Sequence, residues 1–341
     1  MSRDFKMTGI SIGSGLNKCA YHCKYCQIAD FKPVKYTFER FVKIIERFIE
    51  YKEKNKLKDF EVSFWNGYSY DNQIEELQKE MELYKKVANW ELKILLLGGL
   101  PHMSDEVLKD WYIKRKNIGS EFVTATYTGC KELHDYWNTK KGNFDFLLNA
   151  QKIAQEVGLA NEQRILITKS SLKDMDKLLD ILDETNINVR SRVAYLFFYS
   201  GLARKYEHER VTMELLDKQP KRVQEIYRTD KNNWKSEKDW VEYALNNPSH
   251  YGKGHVDLTL TDKNIEMIES MSCEEIIENL VKRTKLAYSI APSQEELASK
   301  YSDKTSEKLY MFLWDMEALW MDRYLKENPI DFERGLTHFG R

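Results

Sequence analysis

Lys18-Cys19-Ala20-Tyr21-His22-Cys23-Lys24-Tyr25-Cys26-Gln27-Ile28 sets three cysteines at C-x3-C-x2-C spacing. The stretch follows a short alternating apolar segment (7–12) and the turn Gly13-Ser14-Gly15, so it reads as a loop leaving a strand. A thiol ligates metal only as thiolate, and three thiolates side by side repel one another, so the loop asks for a cation or a cluster. A four-iron cluster normally takes four cysteine ligands, and three would leave one iron with an open position. Structural zinc also wants four ligands. His22 is a candidate fourth, but it is wedged between two of the cysteines, and no second Cys or His pair stands at finger spacing. A zinc-stabilised binding or scaffold protein is the alternative this loop leaves open. Five cysteines without an N-terminal apolar signal segment give no sign of an oxidising compartment.

Beyond the loop, 341 residues suffice for one large domain and an accessory piece. The 53 basic and 54 acidic residues nearly cancel, which gives no broad electrostatic footprint for nucleic acid or an anionic membrane. No run approaches the roughly 20 apolar residues of a membrane span, and a cytoplasmic protein is expected.

Helical spacing of Phe38, Phe41, Val42, Ile45, Phe48 and Ile49 predicts an amphipathic helix over 38–51, followed by a strand over 60–65. The alternation continues with helix 71–86, strand 92–97 ended by Gly98-Gly99, helix 104–115, strand 122–127, helix 144–157 and strand 164–168. A capping-box pattern from Ser171 to Asp174 opens the next helix, and a sixth strand covers 189–198. Six strands alternating with helices imply an α/β fold with a parallel sheet, either an open doubly wound sheet or a barrel. From 221 onward the pattern departs. A strand-like 255–260 is followed by helical stretches 263–288, 293–300 and 306–326, the last rich in aromatics that pack inward or cover an opening.

The cysteine loop, with Tyr25 in its aromatic place, resembles the signature of the radical S-adenosylmethionine (SAM) enzymes. The resemblance implies a partial (β/α)6 TIM-like barrel over 1–220, with a mainly helical extension over 221–341. It also implies a [4Fe-4S] cluster on Cys19, Cys23 and Cys26, whose unique iron is chelated by SAM. Reductive cleavage of SAM would then give a 5′-deoxyadenosyl radical that takes hydrogen from a C–H bond of a peptide or small metabolite. An electron donor such as flavodoxin or ferredoxin is expected as a partner, and an RNA substrate is the minor alternative. In barrel enzymes chemistry sits at the C-terminal ends of the strands. Asn66 and Gly67 after the second strand, Thr126 and Thr128 at the end of the fourth, and Lys169 after the fifth are therefore expected at SAM, with Tyr25 at its adenine. Cys130, as a hydrogen-atom donor, and Tyr199, after the sixth strand, are the candidate catalytic residues. His134 and Asp135 are read either as an acid–base pair or as a local capping pair. Only Cys130 and Cys273 remain beyond the loop, too few for an auxiliary cluster. No segment before the barrel suggests a separate leader-peptide domain.

Overall fold

The computed structural model describes residues 5–16, 19, 21–29, 32–66, 73–228, 233–247 and 253–329. Gly67 lies outside them. Seven parallel strands form the frame: β1 (Lys6–Ser14), β2 (Glu61–Asn66), β3 (Ile94–Leu96), β4 (Phe122–Tyr127), β5 (Ala160–Ile167), β6 (Val189–Leu196) and, after the two-residue β7 (Lys235–Ser236), β8 (Lys253–Leu260). They hydrogen-bond as two sheets, in the orders β2-β1-β8 and β3-β4-β5-β6. β7 pairs antiparallel with the short β9 (Leu309–Tyr310).

Helices cover the outer face of the strands, as parallel crossovers require. Helix Phe38–Lys54 buries Phe38, Phe41, Val42, Ile44, Ile45, Phe48 and Ile49 against Ile10 and Ile12 of β1 and Val62 and Phe64 of β2. In the second sheet Val123, Ala125 and Tyr127 face the helices, and so do Ile165 and Ile167. Period-two alternation therefore turns Thr124 and Thr126 of β4, and Glu162, Arg164 and Leu166 of β5, to the opposite, inner face.

The α/β class and the parallel strands are as the sequence implies, and the sheet has one strand more than the six expected. β8 lies in register beside β1, with Ile10 opposite Val256 and Ile12 opposite Leu258. Val256, Leu258 and Leu260 are buried with β1 and with helix Cys273–Ile290, whose Ile276, Ile277 and Leu280 close over them. The strand-like segment 255–260, expected within the extension, thus pairs with β1 in the first sheet. Strand pairing joins residues far apart in the chain, and local alternation does not announce it.

Several helix boundaries also move. Thr168, not Ser171, caps the segment after β5: Thr168 Oγ1 accepts from Ser171 N and Ser171 Oγ from Thr168 N, opening the short helix Lys169–Leu172. Stretch 263–288 divides into Ile265–Ser270 and Cys273–Ile290, the latter opened by a Ser272–Glu275 capping box. An unexpected helix, Lys131–Asn138, follows β4 directly.

If β8 holds β1 in place, Leu258→Ala should cost about 2–5 kcal/mol in urea unfolding. A chain ended at residue 220 should also lose its cooperative transition and near-UV dichroism. A 1–220 fragment that unfolds as sharply as the whole chain would refute that role for β8.

Candidate functional site

The described residues of the cysteine loop form no helix or strand, so their polar groups must find partners elsewhere. They find them at the C-terminal ends of the strands. Tyr21 Oη donates to the Leu100 carbonyl beyond β3, 3.0 Å away. Lys24 N donates to the Trp137 carbonyl, at 2.8 Å, in the helix after β4. Leu202 N, beyond β6, donates to the Cys26 carbonyl at 3.0 Å. The ring of Tyr25 packs on Leu166 of β5 and on Phe197. The loop is laid across the ends of β3 through β6.

Asn138 is the hub beneath it. Its Oδ1 accepts from Tyr25 Oη at 2.7 Å and from the Cys23 thiol at 3.4 Å. Its Nδ2 donates to Thr128 Oγ1 at 3.3 Å and to the His134 carbonyl at 2.9 Å. Asn138, Thr128 and His134 are fully buried. A buried amide that satisfies this many groups fixes their relative positions. Thr128 is thereby joined to the cysteine loop through Asn138. Asn138 was not singled out from the sequence. The clue was its spacing four residues after His134, on a helix that the sequence reading treated as loop.

Gly201 controls how closely the loop approaches β6. Its φ is +50°, and a Cβ there would stand 2.2 Å from the Cys26 carbonyl oxygen and 2.8 Å from that of Gln27. Only a residue without a side chain fits both the left-handed conformation and the contact.

Burial, then the neighbouring Cys19 and Cys26 thiols, push Cys23 up to about 12, against a lowering by the Tyr25 hydrogen bond. Burial and the Cys19 and Cys23 thiols raise Tyr21 likewise to about 12. The thiols thus act on one another, and forming thiolates here requires a positively charged partner. Among the described residues no three Cys, His, Asp or Glu side chains stand where they could hold one metal ion.

The other expected residues are spread more widely. Thr126 lies on the inner face of β4, paired in register with Arg164. Asn66 ends β2 opposite Ser14. Lys169 is exposed at the start of the short helix after β5. Cys130 belongs to the core between sheet and helices, with its thiol directed to the Asp174 carbonyl at 3.8 Å, rather than to the cysteine loop. Tyr199 is packed with the C-terminal helices, where Asp322 accepts its hydroxyl at 2.9 Å and Asp315 its backbone N–H at 2.6 Å. Both expected catalytic side chains are therefore committed to packing. His134 and Asp135 do not pair as acid and base. Asp135 accepts from the backbone N–H groups of Gly142 and Phe144, at 2.6 and 2.9 Å, and so steadies the start of the next helix.

No family model matches the chain. A search of curated proteins finds Fe-coproporphyrin III synthase of Methanosarcina barkeri (strain Fusaro / DSM 804), 29% identical over 102 residues. The match covers 30% of this chain and 25% of that protein, so the chain spans about a quarter of the relative's length. Among solved structures, coproporphyrinogen III oxidase (HemN) of Escherichia coli, described as a radical SAM enzyme, aligns at TM-score 0.38 and 10% identity. That alignment covers 57% of this chain and 45% of the other. Native anSMEcpe with bound AdoMet and a peptide aligns at TM-score 0.42 and 12% identity, over 94% of this chain and 98% of the other. Likenesses this distant leave the roles of residues to be argued from this chain's own geometry.

Gly201→Ala should unseat the loop, and Gly142→Ala serves as a control, because Gly142 also has a positive φ (+79°) but nothing within 4 Å of an added Cβ. The control should lose about 1 kcal/mol from strain alone, while Gly201→Ala should lose more and retain less iron after anaerobic reconstitution. Equal losses would mean that the contact with Cys26 does not matter.

His134 gives a pH signature. Burial lowers it from 6.5 to about 4, so the folded protein keeps it neutral while the unfolded chain takes up a proton below 6.5. Stability should therefore fall as pH drops from about 6.5 towards 4, by roughly 3 kcal/mol in all, and this contribution should level off below that. Urea titrations across this window should show a shallower decline for His134→Gln than for the wild type.

Proposed function

We infer that this chain is a radical SAM enzyme, and we propose that Cys19, Cys23 and Cys26 hold a [4Fe-4S] cluster to which SAM binds. The observation that carries the reading is the three-cysteine loop itself, anchored over the C-terminal ends of parallel β/α strands. When bound, the cluster and SAM supply one-electron chemistry directed at an unactivated C–H bond.

The chain's own part is to hold the ligands and shape the space beneath them. Asn138 and Tyr25 orient Cys23, and the Leu202 amide fixes the backbone at Cys26. Tyr25 offers a ring edge and a hydroxyl to an adenine. Thr128 and Thr126 offer hydroxyls on the β4 side, and Lys169 a cation at the end of β5. Asn66 and Gly67 complete the SAM contacts on the β2 side. An external donor such as flavodoxin or ferredoxin supplies the electron.

The substrate is a peptide or a small molecule. Near-neutral overall charge gives no broad attraction for a polyanion, and the curated relative is by name a synthase of a small molecule. No helix among the described residues is long and apolar enough to cross a membrane.

Anaerobic reconstitution should give a brown protein with about four irons and matching sulfide, and reduction in the presence of SAM should release 5′-deoxyadenosine. Exchanging any one of the three cysteines for alanine should abolish both. A reduced, iron-replete protein that binds SAM and never cleaves it would refute the enzymatic reading, while one zinc without sulfide would favour the scaffold alternative.

A further inference from the structure

The inner face of the first sheet carries a carboxylate without a partner among the described residues. Ile10 and Ile12 of β1, Val62 and Phe64 of β2, and Val256, Leu258 and Leu260 of β8 are buried under the helices. Period-two alternation therefore turns Ser11 and Gly13, Ser63 and Trp65, and Asp257 and Thr259 inward. The register sets these residues in rows across β2, β1 and β8: Glu61, Gly9 and His255 lowest, then Ser63, Ser11 and Asp257, then Trp65, Gly13 and Thr259. The upper row lies one residue below Ser14, where β1 ends and the chain leaves towards the cysteine loop.

Two of the rows hold a carboxylate, and only one of the two is partnered. In the lowest row Glu61 Oε2 meets His255 Nε2 at 3.1 Å across Gly9. In the next row Asp257 stands opposite Ser11, with Ser63 beyond, and the basic side chain nearest along its own strand, His255, is already turned to Glu61. Asp257 is half-buried, and neither its carboxylate nor the Ser11 hydroxyl makes a hydrogen bond or ion pair among the described residues. The carboxylates of Glu207, Glu237 and Asp322, by contrast, each face an arginine. Burial, then Glu317 and Asp257, push Tyr288 up, so the nearby helices add a second carboxylate to the field around β8. One row above Asp257 the Trp65 indole reaches from β2 over β1: a Cβ on Gly13 would stand 2.0 Å from its Cζ2 and 2.5 Å from its Nε1. A partly desolvated carboxylate is costly to keep without a cation, and an indole face attracts one. An ammonium has three donors to share between a carboxylate and a hydroxyl, and its alkyl stem suits the aromatic ring.

We propose that Asp257, with the Ser11 hydroxyl opposite it and the Trp65 ring one row above, binds an alkylammonium group of the substrate on the inner face of the first sheet. The position holds a basic substrate by its charged end and leaves its carbon chain directed along β1 towards the cysteine loop. The assignment of the ammonium to a substrate rests on the radical SAM reading; the cation site itself rests on the register of β2, β1 and β8.

The test is ligand-observed NMR on the full reconstituted chain, with n-butylamine as the cationic probe and 1-butanol as its neutral counterpart, each with and without SAM. Butylamine should bind the wild type at least about tenfold more tightly than butanol, the factor expected of a charged hydrogen bond. Asp257→Asn should bring the amine down to the level of the alcohol, and Glu278→Gln, an exposed change on helix Cys273–Ile290, should leave it as it was. In the wild type the amine affinity should also fall several-fold between about 0.02 and 0.3 M salt, while that of butanol holds. Equal binding of the two probes, an amine affinity indifferent to salt, or unchanged amine binding in Asp257→Asn overturns the proposal. Displacement of the amine by SAM also overturns it, by giving the carboxylate to the cofactor. The probe preference and its salt dependence are read on the wild type, so they stand even if the variant folds poorly. A chain that never cleaves SAM yet binds the amine through Asp257 would sink the enzymatic reading and leave the cation site standing; one that cleaves SAM without preferring the amine would do the reverse.

Discussion

Three thiols on one irregular loop set the constraint under which the rest of the structure operates. Ionising any one of them beside the other two is resisted, and at Cys23 burial and the neighbouring thiols both resist it. A loop carrying that tension cannot hold its shape through its own hydrogen bonds. It borrows rigidity from the strand ends, through Leu100, Trp137, Asn138 and Leu202. The barrel therefore does more than carry the loop. It supplies fixed donors and acceptors to the loop backbone, to the Tyr21 and Tyr25 hydroxyls and to the Cys23 thiol.

Asn138 shows how narrowly this is done. One amide oxygen receives both the Cys23 thiol and the Tyr25 hydroxyl, while the amide nitrogen is tied down to Thr128 and to the backbone of its own helix. A ligand residue and the adjacent aromatic residue thus share a single acceptor, and displacement of one disturbs the other. His134 beneath it is kept neutral by burial and accepts from the Thr128 N–H at 3.3 Å, so the hub stands on an uncharged base.

What could be read from the sequence was what is local. The cysteine spacing is contiguous, and period-two and helical alternation mark strands and helices where one face is buried, as in β4 and helix Phe38–Lys54. What escaped was set by contacts between distant residues. β8 looks like any short alternating strand until β1 lies beside it. Asn138 is an ordinary helix residue until Cys23 lies over it. The need of Gly201 for a bare backbone comes from the Cys26 carbonyl, which the sequence places 175 residues away. The packing of Cys130 and Tyr199 is likewise set by distant contacts, since the strand ends that carry them also feed the sheet–helix core and the C-terminal helices.

The C-terminal region looks from its aromatics like a cover for the barrel opening, and its interior polar groups show instead how firmly it is fastened. Glu237 is almost fully buried, and it is held by Arg323, by the Trp320 indole N–H at 3.0 Å and by the Asp303 amide at 2.8 Å. A buried carboxylate is tolerated only where such partners are fixed, so this part of the chain cannot shift without uncovering a charge. From the same region Asp315 accepts the Tyr199 N–H, and Asp322 takes both the Tyr199 hydroxyl and Arg204. Tyr199 stands two residues before Gly201 and three before Leu202, whose backbones meet Cys26. Helix Leu313–Glu327 is therefore linked to the third cysteine through one short turn beyond β6. In that arrangement the C-terminal helices brace the cysteine loop from the side, and helix Leu313–Glu327 contributes to the same constraint that β1 begins.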